Sequence, residues 1–398
     1  MEIDTLKFEF QTNSPKIIKV IGVGGGGGND VNHMFKEGIN DVTFVLCNTD
    51  VQDLKKSEIP IKVQLGAKIT NGLGAGNDPA VARQAAEESQ EDIKSLFTDG
   101  TQMAFITAGM GGGTGTGAAP VVARIAKESD ILTVGIVTIP FLFEKKRKIN
   151  QALKGVEEMK KNVDALLVIN NEKLRDIYTG LSTKEAYTKA DSILSTATRS
   201  IAEIITNEGI INLDFRDVRK VLKNGGVAIM SIGTASGEKR LQKAIDNALN
   251  SPLLNNKDVK KAKKILFNIS ASEKAPVLVE EMDELDKFMD QLDPNIEVIW
   301  GQAEDNSLED EIKFTILATG FDLDMNQVDE DNEEEDEEGD RRIEEKIKET
   351  YGETSQNQRT VHYFLFADEN LDNDEIIKMF EDTPTYERSK NLLEEMNV

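Results

Sequence analysis

Few of the side chains that carry redox, metal or histidine chemistry occur in this sequence of 398 residues. It contains one cysteine, Cys47, and two histidines, His33 and His362, which are far apart. A single cysteine cannot form an internal disulfide, which is typical of a reducing cytosol. Because Cys47 follows the apolar run VTFVL, we interpret it as a buried strand residue rather than a nucleophile. Two distant histidines argue against a histidine-based metal site or catalytic triad, and we predict no residues that ligate a metal.

Long apolar runs and an excess of basic residues are also missing. No run approaches the ~20 apolar residues of a membrane span, and the N-terminal MEIDTLKFEF lacks the apolar core of a signal peptide. We therefore expect a soluble, cytoplasmic protein. Only 47 lysines and arginines face 72 aspartates and glutamates, which gives a net charge of −25. Nucleic-acid phosphates would repel such a chain, so we do not expect it to bind nucleic acid.

Glycine, by contrast, is concentrated in three segments: GVGGGGGN (22–29), NGLGAGNDP (71–79) and GMGGGTGTG (109–117). Glycine permits positive φ and close approach of the backbone. A glycine-rich turn that opens a helix presents backbone N–H groups to an anion, and the helix dipole adds to the attraction. We interpret these segments as phosphate cradles; the alternative is a flexible surface loop, which the following helical stretch DVNHMFKEGI disfavours.

Strand-like and helical stretches alternate from Lys16 to about Asn170. The strand candidates are KIIKVIGV, DVTFVLCN, MAFITAG, ILTVGIVTIP and DALLVIN. Apolar strands that alternate with helices predict an α/β fold, with a doubly wound parallel sheet covered on both faces. Ligands bind at the carboxyl ends of such strands, which is where the glycine segments fall.

Beyond this sheet the sequence predicts a long helix, a second α/β block and a tail. Apolar residues recur at helical spacing over Asp191–Gly209, with Gly209 as the C-cap. Residues 220–320 again alternate between strand-like and helical stretches. Asp322–Asp340 contains 12 acidic residues and no basic one, which is typical of a disordered linker. Residues 376–398 mix apolar and charged side chains as a short binding peptide does, although a frayed terminus is the alternative.

The glycine pattern leaves two ligand classes open. Gly22, Gly24 and Gly27 fit the G-x-G-x-x-G dinucleotide pattern, and Asp50 follows roughly twenty residues on, so an NAD- or FAD-dependent oxidoreductase is one reading. A dinucleotide fold uses one such turn for one pyrophosphate, whereas three segments favour a nucleoside triphosphate. No G-x-x-x-x-G-K-[ST] segment and no kinase catalytic loop is present, which excludes those two nucleotide-binding classes.

A resemblance decides between them. GGGTGTG (111–117) is the signature of the tubulin superfamily, and GVGGGGGN, NTD (48–50), GLGAGNDP, VTIPFLFE and NLDFRDV follow the order of the FtsZ family of bacterial cell-division GTPases. The resemblance covers Lys16 to Phe321 and implies a tubulin-like α/β fold. The implied organisation is a disordered N-terminus (1–15), a GTP-binding domain (16–190), a central helix (191–209), a C-terminal polymerisation and GTPase-activating domain (210–321), an acidic flexible linker (322–375) and an adaptor-binding peptide (376–398).

The resemblance also implies which residues contact the nucleotide. The phosphates fall to Gly24–Asn29 and Gly109–Gly117, and Gly74–Asn77 closes over the γ-phosphate with Mg²⁺ nearby. The full implied set is Gly24, Gly25, Gly26, Gly27, Gly28, Asn29, Asn48, Gly74, Ala75, Gly76, Gly109, Gly111, Gly112, Gly113, Thr114, Gly115, Thr116, Gly117, Glu144, Lys148, Asn171, Tyr187 and Asp191.

Guanine selection is implied for Asn171, Tyr187 and Asp191. A carboxylate can accept both the N1–H and the 2-amino donors of guanine, and adenine lacks that pair of donors. A helix N-cap is the alternative reading of Asp191. Many relatives carry arginine where this chain has Lys148, so the nucleotide contact is assigned to Lys148 or, in another register, to Arg147.

NLDFRDV supplies the implied catalytic residues Asn212, Asp214 and Asp217. Read alone, they are a plausible helix N-terminus. By resemblance, this loop enters the nucleotide pocket of the next subunit, where the aspartates orient the attacking water and the metal. Hydrolysis of GTP to GDP then depends on head-to-tail polymerisation, and the alternative is a filament protein of the same fold without efficient hydrolysis.

The resemblance further implies partners and a location. The chain is expected to polymerise with itself, to use GTP, GDP and Mg²⁺, and to insert no segment into a membrane. Its terminal peptide, with TPTYERSK at the centre, resembles the tail that binds membrane adaptors and division proteins. The expected location is the cytoplasmic division ring at midcell, beneath the inner membrane.

Overall fold

The computed structural model describes residues 16–39, 41–177, 182–206, 209–251 and 261–321, together with positions 259, 347, 350 and 351. The strands in this part of the chain are β1 (Ile18–Val23), β2 (Val42–Asn48), β3 (Ile61–Gln64), β4 (Met103–Gly109), β5 (Leu132–Ile139), β6 (Ala165–Asn170), β7 (Gly209–Ile211), β8 (Gly226–Ala235), β9 (Lys264–Ala271), β10 (Glu297–Glu304) and β11 (Ile312–Phe321). They form one eleven-stranded sheet in the order β3-β2-β1-β4-β5-β6-β8-β11-β9-β10-β7.

Helices connect these strands and cover the sheet. They are α1 (Gly24–Lys36), α2 (Val51–Lys56), α3 (Ala67–Thr70), α4 (Pro79–Glu88), α5 (Gln90–Ser95), α6 (Gly113–Glu128), α7 (Lys146–Asn162), α8 (Asn171–Ile177), α9 (Thr183–Thr206), α10 (Phe215–Leu222), α11 (Arg240–Leu249) and α12 (Met282–Met289). None of the described helices combines the length and the apolar character that crossing a bilayer would require.

The first half of the sheet is parallel throughout, as its uninterrupted apolar strands predict. One core lies between this half and α4, α6 and α7, and a second lies between the sheet and α1, α9 and α10. All five strands predicted from the sequence are present, whereas β3 was missed because it is a short edge strand whose side chains are exposed or half-buried. Parallel pairing places the carboxyl ends of β1 and β4 side by side, with Val23 opposite Ala108.

The second α/β block continues the same sheet. Ala165–Leu167 of β6 pair in parallel with Gly226–Ala228 of β8. β11 then runs antiparallel to both β8 and β9, and a third core lies against α11 and α12. The alternation of strands and helices predicted for this block is confirmed, and one sheet extends through both blocks.

The long helix α9 begins at Thr183, eight residues before the position expected from the sequence. Its start is marked by Ser182 and Glu185, because the Glu185 carboxylate accepts the Ser182 N–H at 2.8 Å and the Glu185 N–H donates to Ser182 Oγ at 3.3 Å. This reciprocal pair is a capping box, which the sequence STKE encodes. Asp191 therefore lies inside the helix, and its interpretation as an N-cap is wrong.

Three described positions of the predicted flexible linker pack on the first core. Ile347 and Tyr351 are buried there, one helical turn apart. The Tyr351 hydroxyl donates to the Pro140 carbonyl oxygen at 2.7 Å, and the Asn170 amide donates to the Thr350 carbonyl oxygen at 3.1 Å. At these positions the chain is anchored rather than free, because an isoleucine and a tyrosine at i and i+4 form a small apolar face. The N-terminal segment, the acidic run and the terminal peptide lie outside the described residues.

Candidate functional site

The three glycine segments meet at the carboxyl ends of the parallel strands. α1 begins at Gly24 directly after β1, α6 begins at Gly113 after β4, and α4 begins at Pro79. Glycine is required for this approach, because a Cβ atom on Gly27 would lie 2.2 Å from the Thr107 carbonyl oxygen and one on Gly117 would lie 2.0 Å from that of Pro79. The first segment is thus not a turn before a helix, as predicted, but the first turns of the helix itself.

The N-termini of α1 and α6 have no side-chain cap. Neither helix has a side chain that caps its first backbone N–H groups, and neither has an acidic residue in its first turn. A Cβ atom would fit on Gly112, which precedes α6, because its nearest neighbour would be Asn77 Oδ1 in ordinary contact at 4.0 Å. Uncapped N–H groups together with the helix dipole form an anion site, so the fold leaves two such ends available to phosphate groups.

Side chains around α6 hold this cradle in place. Thr114 Oγ1 and Thr49 Oγ1 are hydrogen-bonded at 2.8 Å, and Thr116 Oγ1 accepts the Gly111 N–H at 2.9 Å. The Gln151 amide donates to the carbonyl oxygens of Gly111 and Gly112 at 3.2 and 3.1 Å, so the protein itself engages the acceptors of this segment. Thr49 and Gln151 were missed from the sequence, because only the fold brings β2 and α7 beside α6.

The segment before α4 is attached to the end of β2. The Gly74 N–H donates to the Thr49 carbonyl oxygen at 3.3 Å, and Asn48 Oδ1 accepts the Asp50 N–H at 3.2 Å. Gly74 and Gly76 have positive φ and little around their Cα atoms. Ala75 is buried between them. The predicted residues of the second and third glycine segments therefore lie on one rim.

Glu144, Lys148 and Tyr187 also come together, as predicted. Lys148 forms an ion pair with Glu144, whose Oε1 accepts the Phe141 N–H at 3.0 Å. Tyr187 packs edge-on against Phe141, with the ring centroids 5.3 Å apart. Burial, followed by the charge of Glu144 and a hydrogen bond to it, raises the pKa of Tyr187 to about 12. Arg147 is exposed, so the structure brings Lys148 rather than Arg147 to Glu144.

Asn171 and Asp191 lie on α8 and α9. Asn171 is 4% exposed, and its side-chain oxygen has no hydrogen-bond partner among the described residues. Buried polar atoms are rarely unpaired, and this oxygen is available to accept a hydrogen bond from a bound molecule. Asp191 is half-buried and faces Asp30 of α1, a residue that the sequence did not single out. Asp30 shares the buried face of α1 with Gly27 and Met34, a helical spacing that could have revealed it.

The predicted catalytic loop forms the start of α10. Asp214 accepts the N–H groups of Arg216 at 2.7 Å and Asp217 at 3.0 Å, while Asp217 Oδ2 accepts the Asp214 N–H at 3.1 Å. Asn212 Oδ1 accepts the Gly209 N–H at 2.6 Å. Within one chain these acids cap their own helix, as the simpler sequence interpretation stated.

α10 lies at the opposite end of the sheet from the glycine cradle. Arg219 of α10 pairs with Asp130 at 3.1 Å, and Lys223, which follows α10, pairs with Asp164 at 3.3 Å. Asp130 follows the C-terminus of α6, whose N-terminus forms part of the cradle. With 16 residues, α6 spans about 24 Å at ~1.5 Å per residue. The acids of one chain therefore lie about one helix length from the cradle of the same chain.

The side chains near the cradle also indicate how Mg²⁺ could be bound. Among the described residues, no group of three or more His, Cys, Asp or Glu side chains is arranged to hold a metal ion. Mg²⁺ in nucleotide enzymes is bound chiefly by phosphate oxygens and water, with one or two carboxylates. The residues present fit an ion that arrives with a nucleotide, and they do not fit a cage made by the protein alone.

Comparisons with known proteins agree on one family. Residues 17–179 match the model of the Tubulin/FtsZ family GTPase domain, residues 226–322 match the FtsZ family C-terminal domain, and residues 358–398 match a further FtsZ C-terminal model. The chain is 49% identical to a cell division protein FtsZ from Porphyromonas gingivalis, over 99% of this chain and 90% of that protein.

Solved structures give the same result. An empty FtsZ dimer from M. jannaschii superposes with a TM-score of 0.71 at 41% identity, covering 78% of this chain and 90% of that one. A GTPγS-bound protofilament of CetZ2 from Haloferax volcanii superposes with a TM-score of 0.66 at 20% identity, covering 84% of this chain and 98% of that one, which shows a shared fold.

Proposed function

The chain belongs to the FtsZ family of the tubulin superfamily, and from that premise we propose how its residues bind GTP and how a neighbouring subunit completes the site. It is a cell-division GTPase that forms filaments, and it binds GTP and GDP. The proposal concerns the residues, the metal, the partners and the location.

The N-termini of α1 and α6 hold the phosphates of GTP. The observation that carries this assignment is that both helix ends are uncapped, have no acid in their first turns and lie close together, since a Cβ atom on Gly24 would be 2.9 Å from the Gly115 nitrogen. Gly74–Asn77 forms the rim beside the terminal phosphate. Glu144 and Lys148 contact the ribose and the phosphates, and Mg²⁺, held by phosphate oxygens and water, would neutralise charge on the transferred phosphoryl group.

Asn171, Tyr187 and Asp191 bind guanine. The unpaired oxygen of Asn171 supports this assignment, as does the aromatic surface that Tyr187 offers to a purine beside Phe141. Asp191 accepts the N1–H and 2-amino hydrogens, so adenine, which lacks them, leaves the carboxylate unpaired.

Asn212, Asp214 and Asp217 act in the cradle of the next subunit. Their position at the far end of α6 supports catalysis between subunits, since they cannot reach the cradle of their own chain. Asp214 and Asp217 orient the attacking water, and Asn212 supports the loop. Because the contact joins two different surfaces, it is repeated from subunit to subunit and produces an open filament.

The rest of the chain connects the filament to the division machinery. We assign residues 16–190 to GTP binding, residues 210–321 to polymerisation and activation, and residues 376–398 to binding a membrane adaptor. The match of residues 358–398 to an FtsZ C-terminal model supports a dedicated role for this segment. The filaments would lie in the cytoplasm at the midcell ring, beneath the inner membrane.

A mixing experiment tests whether the site is shared. Asp214→Ala retains the cradle but lacks the catalytic carboxylate, and Asp191→Asn retains the loop but loses guanine binding. Neither variant should hydrolyse GTP alone. With xanthosine triphosphate filling the Asp191→Asn cradle, the mixture should hydrolyse GTP held by Asp214→Ala subunits. A mixture as inactive as its components would place the whole site within one chain.

A second measurement is the rate of GTP hydrolysis per molecule against protein concentration, with ATP as a control. The rate should be near zero below a threshold concentration and should rise above it. A rate that does not depend on concentration would rule out assembly-dependent hydrolysis.

A further inference from the structure

Two carboxyl groups meet in the interior beside the proposed guanine site. Asp30 of α1 is 3% exposed, and its Oδ2 accepts a hydrogen bond from Thr107 Oγ1 at 2.8 Å. The carboxyl group of Asp191, on α9, faces that of Asp30 where α9 packs against α1. Two ionised carboxylates that face each other in a buried place repel, so the pair favours sharing one proton.

The charged groups around the two carboxyl groups do not neutralise the pair in place of that proton. One turn along α1, His33 faces Asp191 and lies 3.3 Å from Glu37. Glu37 in turn pairs with Arg199 of α9 at 2.9 Å and accepts a hydrogen bond from Ser195, so Arg199 is engaged by Glu37. Thr107 is the polar contact from the sheet, and the described residues form no metal-holding group here.

The environment decides which carboxyl group keeps the proton. Burial, then the charge of Asp191, raises the pKa of Asp30 well above its usual range. Burial also raises the pKa of Asp191, but the hydrogen bond from Asp30 acts in the opposite direction, as does the charge of His33. Because Asp30 is the more deeply buried of the two carboxyl groups, it is the one that keeps the proton, and Asp191 is the ionised acceptor.

We infer that Asp30 is a positioning residue for guanine recognition, a neutral carboxyl group that is held by Thr107 and donates a hydrogen bond to Asp191. The inference rests on the proposed function of Asp191. Asp30 fixes the side-chain conformation of Asp191 and keeps it charged, so that both guanine donors meet an oriented acceptor. A charge-assisted hydrogen bond of this kind is short and directional, which suits a site that must distinguish bases by their donors.

Two substitutions of Asp30 separate positioning from packing. Asp30→Asn keeps the shape, a donor towards Asp191 and an acceptor for Thr107, and it cannot ionise. Asp30→Ala removes all three. Asp246→Asn, which removes an exposed carboxylate from α11, is the matched control and should behave as the unchanged chain.

The binding readout is the affinity of the full chain for GDP and for inosine diphosphate, which lacks the 2-amino group, below the assembly threshold. Asp30→Asn should bind GDP as the unchanged chain does. Asp30→Ala should bind it about tenfold more weakly and should discriminate less between the two nucleotides, because Asp191 loses a charge-assisted hydrogen bond. GDP affinity and discrimination within about twofold of the unchanged chain for Asp30→Ala would overturn the inference.

The protonation readout is the midpoint of denaturant unfolding against pH, without nucleotide. Above about pH 4 the unfolded Asp30 ionises while the folded one keeps its proton, so the folded state binds more protons. The midpoint of the unchanged chain should therefore fall with rising pH relative to that of Asp30→Asn, until the raised pKa is passed. If the unfolding midpoints of the unchanged chain and of Asp30→Asn change with pH in the same way, the inference that the two carboxyl groups share a proton is wrong.

A third variant separates this inference from the proposed function. If Asp191→Asn binds GDP normally, the assignment of Asp191 to guanine fails, and the role of Asp30 in recognition fails with it. If Asp191→Asn loses GDP while Asp30→Ala retains full affinity and discrimination, only the inference about Asp30 fails.

Discussion

Helices α1 and α6 differ from helix α10 in how the first backbone N–H groups of the helix are satisfied. α1 and α6 begin with glycine, without a cap and without an acid, so their first N–H groups can take an external anion. α10 begins with Asp214 and Asp217, which satisfy its N–H groups and bring negative charge. The first arrangement attracts phosphate, whereas the second repels it and offers acceptors to water. Since they lie at opposite ends of α6, the proposed function makes them two complementary halves of a site that two subunits share.

The largest expected effect comes from removing the charge at α10 while keeping its cap. Asparagine caps a helix about as well as aspartate, so Asp214→Asn should leave the thermal unfolding temperature nearly unchanged. GTP hydrolysis by filaments should fall about 100- to 10,000-fold, a typical loss for a residue that orients or activates a nucleophile. GTP affinity should stay the same. Wild-type hydrolysis by this variant would show that the carboxylate is only a cap.

The reverse change gives the N-terminus of α6 an acidic cap like that of α10. Gly112→Asp places a capping carboxylate before α6, where there is room for a side chain. A unit charge about 4 Å from a phosphate costs roughly 4 kcal/mol at a protein surface, so GTP affinity should fall about 100- to 1,000-fold. The fold should remain as stable, because α6 gains a cap.

Gly112→Ala is the matched control for that experiment. It adds a Cβ without a charge, and its GTP affinity should stay close to that of the unchanged chain. Titration with a fluorescent GTP analogue measures both variants. Equal losses for alanine and aspartate would mean that space, and not charge, determines binding at this helix end.

A smaller effect is expected from a change at Asp191, which is proposed to bind the guanine base. Asn at position 191 presents one acceptor and one donor, which match the N1–H and the 2-oxo group of xanthine. Asp191→Asn should lower GDP affinity about 10- to 100-fold and raise the affinity for xanthosine diphosphate. Isothermal titration with both nucleotides measures the exchange, and weaker binding of both would indicate damage to the fold instead.

The smallest effect concerns the segment that packs behind Pro140. Tyr351→Phe removes the hydrogen bond from a buried hydroxyl to the Pro140 carbonyl oxygen. The free energy of unfolding should fall by about 1 kcal/mol, as measured by denaturant titration. Because Pro140 lies on the cradle side, GDP affinity should decrease slightly, whereas the α10 end should be unaffected. An unchanged unfolding midpoint would show that this segment adds no stability.

Much of the fold could be predicted because its strands are simple. β1, β4 and β5 are mostly apolar and are buried on both faces, as central parallel strands must be, and the glycines that follow β1 and end β4 mark the ligand edge. β3 was not predicted from the sequence because it is short and lies at the sheet edge. The start of α9 was placed too late, because apolar periodicity begins inside the helix while its capping box lies eight residues earlier.

The site was predictable only in part, for a related reason. Backbone cradles are visible in sequence because they need glycine. Side chains such as those of Thr49, Gln151 and Asp30 cannot be recognised as site residues from the sequence. They reach the site only because β2, α7 and α9 pack beside the cradle. The position of α10 likewise depends on tertiary structure, since its ion pairs with Asp130 and Asp164 join residues distant in the sequence.

The uncapped ends of α1 and α6 also affect the lifetime of the protein. A nucleotide satisfies donors that the empty chain leaves to solvent, so it binds the folded state and not the unfolded one. At a nucleotide concentration 100 times the dissociation constant, such binding adds about 2.7 kcal/mol to the free energy of unfolding. A fall in the supply of guanine nucleotide would then reduce the population of folded protein, as well as its assembly, and would increase its exposure to proteases.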